Sequence, residues 1–474
     1  MDKKNYNILD DALMGSLLLS ISIFACFYYV FNNINSDLYF LLANGRYICE
    51  NQNLFPTFLP NSIHNNLPTV IQQPLFSLIS WLCFEMLSFF GVHLLSGLCV
   101  LICSVVLFSL FKDAEHVFIR YLLTSLFLLA FCSSFSSRPS EVTVTLLLLE
   151  ILLFNSSFLG SGLIRALVLF LLSLLQLLMH AAFYPFFLGI MAFFIVRVFY
   201  TSRKVELPCI IAFILSFVSS TFTPYGIKLP LYLFISYPAA SYGGYIKELK
   251  ALPFFSVYTV FVIALLIYVY KTYKSCNVMD LILAFLGIFL LGMHLRNFYI
   301  FGIFSVPYML SSLNAYKSDN KRHNTGYLKT KVLPYFFALV FTIVFFFTAT
   351  TANDIKDSSV TPIAAAAYLK DKGNTRIFTE FNNGAFFEFM GIRAYIDARP
   401  ELYQKVLNET DDIYMEYLSL YSDDVFDYND FISKYGFDYI VASNNTSFYY
   451  YLKFSDVAHP VVKGNGYELF EVLK

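Results

Sequence analysis

From residue 12 to residue 352 the chain consists of apolar runs separated by short polar connections, most of the runs about as long as a bilayer is thick. A hydrocarbon layer supplies no water to backbone N–H and C=O groups, so such runs must close their hydrogen bonds internally, as helices. About 20 mostly apolar residues make one span. Eleven spans are expected, near 12–32, 93–111, 118–135, 142–158, 164–180, 183–200, 208–222, 254–270, 279–295, 298–314 and 333–352. Composition agrees, with 58% hydrophobic and 14% charged residues, whereas a soluble domain carries about a quarter charged. A net charge of −1 argues against nucleic acid as a partner. The eight cysteines stand singly, most of them inside apolar runs, so neither a disulfide framework nor a structural metal is expected.

The opening "MDKKNYNILDDALMGSLLLSISIFACFYYVF" has too long an apolar core for a signal peptide and reads as an uncleaved first span. Lys and Arg gather on cytoplasmic flanks, which puts the amino terminus inside. The inner connections then hold Lys112 and Arg120, Arg165, Arg203 and Lys204, Lys271 and Lys274, and the group from Lys317 to Lys331. The segment "PLFSLISWLCFEMLSFFG" (74–91) is apolar, but it is short and carries Glu85. Counted as a span it would turn the basic 317–331 stretch outward, so it is read as an interfacial helix within one long outer loop, 33–92. Charge is sparse from 12 to 315 and dense after 353. The expected organisation is a polytopic α-helical membrane body (1–352) and a small α/β domain outside the cytoplasm (353–474).

Within the tail, "RIFTEF" and "RAYIDARPE" are expected as strands, "DYNDFISKYGFDYIVASNN" as helix then strand, and "HPVVKGNGYELFEVLK" as a hairpin around Gly464–Gly466. Asp397 and Arg399 then either end a strand, where α/β sheets bind ligands, or pair to fix the turn before Pro400.

The unusual polar residues fall at the outer ends of the spans. The first loop holds Asp37, Arg46, Glu50, His64, Gln72 and Gln73; "SSFSSRPSEV" holds Arg138 and Glu141; "LLMHAAFYP" holds His180; "GMHLRNF" holds His294 and Arg296. Ionisable groups at membrane depth are costly and point to function, and these could converge on one outward-facing cavity. Asp37 could equally cap the helix "LYFLLANGRYI", Arg138 could anchor at the interface, and the two histidines could simply be packed. Glu150 sits mid-span with no obvious partner.

These motifs, in this order, resemble the C-type superfamily of membrane glycosyltransferases: protein O-mannosyltransferases, the lipid A aminoarabinose transferase, oligosaccharyltransferases and a large uncharacterised bacterial group. "DLYFLLANGRYI" is similar to that bacterial group's acidic-aromatic-His-Leu-small-x-Gly-Arg step, with Leu41 where the group has His. "SSRPSEV", "MHAAFYPFFLG", "TPYGIKL" and "LRNFYIFGIFSVPYML" resemble its later segments, and "RIFTEFNNGAFFEFMGIRAYIDARPELY" resembles its tail. The resemblance implies an inverting transfer of a sugar from a polyprenyl-phosphate carrier to an envelope acceptor, outside the cytoplasmic membrane of a bacterium. Its implied partners are therefore a lipid-linked donor, an unidentified acceptor and membrane lipid.

Such chemistry needs a carboxylate for the acceptor, for which Asp37 comes first and Glu141 second. It also needs cations for the departing phosphate: Arg296 and Arg138, with His294, His180 and Arg46 as further ligands. Oligosaccharyltransferases use a divalent metal; the second outer loop has no Asp-x-Asp, so no obligatory one is expected. Two other classes compete. A transporter or scaffold would favour inverted repeats with matching broken spans, and no clear repeat is present. A glycan polymerase or ligase would be expected to place a large loop between late spans.

Overall fold

The structure, a computed structural model, describes residues 3–58, 62–64, 67–114, 116–155, 162–236, 250–253, 255–319, 356–373, 375–422 and 426–473. Helices α1 (Lys3–Asn32), α2 (Ser36–Asn51), α3 (Pro74–Leu110), α4 (Val117–Ala130), α5 (Pro139–Asn155) and α6 (Gly162–His180) come first. They are followed by α7 (Tyr184–Ser202), α8 (Leu207–Ser220), α9 (Tyr232–Ser236), α10 (Val257–Thr272), α11 (Val278–Met293) and α12 (Phe298–Asp319). Among the described residues three helical stretches are long and apolar enough to cross a membrane: Asp11–Asn32, Pro74–Asp113 and Gly162–Ser202. Four shorter apolar helices accompany them, Val117–Ala130, Leu207–Ser220, Tyr258–Thr272 and Val278–Met293. The chain is a membrane protein. The span expected at 333–352 and the basic residues Lys321–Lys331 lie outside the described residues.

The long helix α3 is not continuous. Its backbone leaves the helical region at Leu87 and Ser88, with Ser88 at φ 57°, so the 74–86 portion is set off from the apolar run that follows. A second interruption follows α6, where His180 (φ −163°) leads into a single 3-10 turn, Ala181–Phe183, before α7.

The chain divides into two compact units. One comprises 1–33, 93–219 and 240–352. Within it α1 packs on α4 and α11 on α12, around side chains such as Leu265, Leu291, Phe301 and Tyr308. Buried charge is answered locally. Asp280, fully buried, meets the Nε of Arg197 at 2.6 Å. Arg165 meets Glu206 at 3.1 Å. The Arg120 guanidinium donates to the Phe108 carbonyl at 2.7 Å and lies 3.7 Å above the Phe108 ring.

The other unit comprises 34–92, 220–239 and 353–474, so the first loop folds together with the tail. The tail adds α13 (Ile363–Leu369), α14 (Gly384–Phe389), α15 (Lys405–Asn408), α16 (Ile413–Ser422), α17 (Tyr428–Tyr435) and α18 (Ser447–Phe454). Its strands are β1 (Ile377–Phe378), β2 (Tyr439–Ser443), β3 (Ala458–Lys463) and β4 (Tyr467–Val472). They form one sheet in the order β1-β2-β4-β3, with β1 parallel to β2 and the other pairs antiparallel. The hairpin turns at Gly464–Gly466 as its sequence predicts.

The strand expected over "RAYIDARPE" does not form. Thr379 replaces the missing neighbour: its hydroxyl accepts from the N–H of Tyr395 and Ile396 and donates to the Ile396 carbonyl. The first loop supplies one further backbone bond, from Ile63 N–H to the Ala394 carbonyl at 3.0 Å.

Helix α2 lies against the early part of α3 and against α14. Gly45 permits the first approach, because a β-carbon there would collide with the Ser77 carbonyl and come within 2.6 Å of the Trp81 β-carbon. Replacing Gly45 with Ala should therefore destabilise the protein by about 1–3 kcal/mol, read as a lower thermal midpoint in detergent. Gly189→Ala, where no atom lies within 4 Å of the added carbon, should leave the midpoint unchanged or raise it.

Candidate functional site

In the first unit the start of α5, the end of α6 and the turn before α12 carry the sequence-predicted residues. Glu141 lies in the first turn of α5, fully buried, and neither carboxylate oxygen has a hydrogen-bond partner among the described residues. Two residues on, Thr143 meets Nδ1 of His180 at 2.8 Å. Gln176 binds both Thr143 and the His180 carbonyl, at 3.1 and 3.0 Å. The His180 ring stands 4.7 Å from that of Phe183, and the Arg296 guanidinium lies 5.7 Å from the same Phe183 ring. His294 ends α11 two residues before Arg296, and both are half-buried. His180 and Arg296 thus flank the Phe183 ring, and Glu141 stands two residues from the Thr143 that meets His180; Arg138 precedes Glu141 in the same turn, its carbonyl accepting the Glu141 N–H. A cation and an imidazole in apolar surroundings can hold an anion.

Asp37 and Arg46 belong to the second unit. Asp37 is in the first turn of α2, but it is not the cap: Asn35 is, accepting the Asp37 N–H through its side-chain oxygen at 3.0 Å. Leu41, in the position where the resembled group has His, is fully buried. Arg46 donates to the Glu388 carbonyl at 3.2 Å and lies 5.7 Å from the Trp81 ring. It therefore ties α2 to α14, and Glu50 next to it is exposed.

The second unit has its own buried ionic centre, at Arg399. Asp397 accepts from the Arg399 N–H at 2.7 Å and from its Nε at 2.9 Å, while Arg399 Nη2 reaches Glu388 at 2.8 Å. Arg399 Nη1 donates to Asn44 at 3.2 Å, and the Tyr403 hydroxyl donates to Asp397 at 2.7 Å. Burial pushes the Asp397 carboxyl up, but the Arg399 charge and its hydrogen bonds outweigh it and hold the group below the usual range. Glu388 goes the other way, raised by burial and by the Asp397 charge. A cavity of about 10 Å³ beside them, lined by Asn44, Gln72, Gln73, Tyr232, Arg399 and Glu401, has the size of a single water. The Asp397–Arg399 pair fixes the turn before Pro400 and does not end a strand.

His64 also reaches across this unit. Its Nε2 donates to the Tyr395 carbonyl at 2.9 Å, and its ring packs against Tyr395, Tyr403 and Tyr435. Among the described residues no three His, Cys, Asp or Glu side chains come together as a bound metal would require.

The residues that sequence reasoning missed are those that support the site: His93, Ser96 and Ser137 in the first unit, Asn44 and Glu388 in the second. A lone His or Ser in an apolar run, or a Glu on an aromatic helix, carries no local signal of its distant partner.

No protein-family profile and no curated protein sequence matches the chain. Among solved structures it is similar to the archaeal oligosaccharyltransferase AglB from Archaeoglobus fulgidus, determined with an inhibitory peptide and a dolichol-phosphate. The TM-score is 0.55 at 10% identity, covering 93% of this chain and 70% of that one. The likeness is one of fold. The apo form of the Archaeoglobus fulgidus oligosaccharyltransferase aligns less well, at TM-score 0.44, 12% identity and the same coverage.

Two predictions follow from the second unit. Arg399→Met leaves the Asp397 anion buried without its cation and should cost about 3–5 kcal/mol. The triple change Arg399→Met, Asp397→Asn, Glu388→Gln should recover part of that loss in thermal unfolding. For His64, burial pushes the imidazole down to about 4, with the Arg376 and Lys434 charges adding to it and the Tyr395 bond opposing. The unfolded chain protonates near its ordinary value of about 6.5, so the unfolded state binds more protons below that pH. Stability should therefore be full above about pH 6.5 and fall as the pH drops from there towards 4. His64→Gln should flatten that part of the profile, followed by the fluorescence of Trp81, the single tryptophan.

Proposed function

We propose that this protein transfers a sugar from a polyprenyl-phosphate-linked donor to an envelope acceptor, on the outer face of a bacterial cytoplasmic membrane. The observation that carries the reading is the placing of His180 and Arg296 on either side of the Phe183 ring, with His180 meeting Thr143 two residues from Glu141, in a chain with the fold of a C-type glycosyltransferase. The spread of Lys and Arg over the connections supports an inside amino terminus, eleven spans and a tail outside.

In the proposed step an acceptor O–H or N–H attacks C1 of the sugar, and the bond from C1 to the phosphate oxygen breaks with inversion. The bonding electron pair leaves on the phosphate, and the acceptor's proton passes to a carboxylate. Arg296 and Arg138 stabilise the charge that develops on the phosphate, where preorganised cations act best in a site free of water. His180, with Nδ1 engaged by Thr143, is held in one orientation beside them, and His294 flanks Arg296. Asp37, in the second unit, is the first candidate for the carboxylate on the resemblance of its sequence surroundings alone, and Glu141 is the candidate within the first unit. Arg46 is engaged with the Glu388 carbonyl, so it is proposed as a support of α2 and not as a phosphate ligand.

The test is sugar transfer to total envelope acceptors by purified protein in lipid, given a panel of radiolabelled polyprenyl-phosphate sugars. Arg296→Gln and Asp37→Asn, each shown to be folded by its thermal midpoint, should lower kcat by about 100-fold or more. Full activity in Asp37→Asn would move the proton-accepting role to Glu141. A wild-type protein inert towards every donor would turn the reading towards a transporter or scaffold.

A further inference from the structure

The turn that delivers Arg138 and Glu141 is built around a residue in an unusual conformation. Ser137 has φ 57°, a left-handed backbone that costs a side-chain-bearing residue of order 1 kcal/mol, and it is fully buried. Something must hold it there, and α3 supplies it. The Ser137 hydroxyl lies 3.3 Å from Nδ1 of His93 and 3.2 Å from the Ser96 hydroxyl. His93 and Ser96, one helical turn apart, are both fully buried. Three side chains, His93–Ser137–Ser96, therefore form one chain that joins α3 to the turn before α5.

The His93 ring is held in turn against Phe31, 5.3 Å between centroids.

We infer that His93, Ser96 and Ser137 are positioning residues, which hold Arg138 and Glu141 in place for the phosphate end of a lipid-linked donor. The inference rests on the proposed reading of Arg138 as a phosphate ligand. It adds that α3, which contributes no ionised group to the site, sets its geometry.

The experiment measures binding of a long-chain polyprenyl monophosphate to the full-length protein in nanodiscs. Ser96→Ala should raise the Kd about tenfold, the weight of one buried hydrogen bond. Ser96→Thr, which keeps the hydroxyl, should stay within about threefold of wild type. Ser109→Ala removes an exposed hydroxyl on the same helix and should behave as wild type. Ser137→Gly loses the hydroxyl but tolerates the left-handed backbone; it should weaken binding as Ser96→Ala does, with its thermal midpoint maintained. It decides the matter if Ser96→Ala does not fold. Wild-type affinity in both hydroxyl-deleting variants overturns the inference while leaving the functional reading intact. Failure of the wild-type protein to bind the phosphate lipid overturns both, and only that outcome reaches the functional reading.

Discussion

A charge carried away from water must be answered from within the chain, and that constraint organises both units of this protein. An unpaired buried ion costs several kcal/mol even after relaxation. Arg197 meets Asp280, and Arg399 meets Asp397 and Glu388; both arrangements serve architecture. Glu141 and Glu150, fully buried on α5, have carboxylate oxygens without a hydrogen-bond partner among the described residues.

The same physics separates the roles of residues that look alike in sequence. Arg46 and Arg296 both lie near the end of an apolar helix, yet Arg46 donates to a backbone carbonyl of α14 and closes its unit. Arg296 lies over an aromatic ring beside His180. Asp37 and Asn35 both suit a helix start, and Asn35 takes the cap. That leaves the Asp37 carboxylate out of the capping bond and keeps it as the residue whose substitution is most informative.

The helical body was legible because lipid makes a strict demand: apolar length and the location of Lys and Arg are read directly from the chain. The break in α3 was legible too, since Glu85 and the shortness of the 74–91 segment set it apart from the span that follows. In the tail, the helix at 428–435, the strand at 439–443 and the hairpin at 464–466 followed from periodicity and glycine placement. The strand over 393–400 did not form, because a side-chain hydroxyl from Thr379 satisfied the backbone that a neighbouring strand would have paired. No pattern within the segment itself announces that substitution.

By itself the sequence determined which stretches are helical and apolar, which end of each span carries ionisable groups, and that a charged tail follows the membrane helices. These are local properties, set by residues within a few turns of one another. Only the tertiary structure decided that the first loop, residues 220–239 and the tail fold as one unit, that Arg399 closes on Glu388 and Asn44, and that α3 holds the turn before α5 through His93 and Ser96. Each of those contacts joins residues far apart in the chain. A hydrogen bond between them depends on distance in space, which a one-dimensional pattern does not encode.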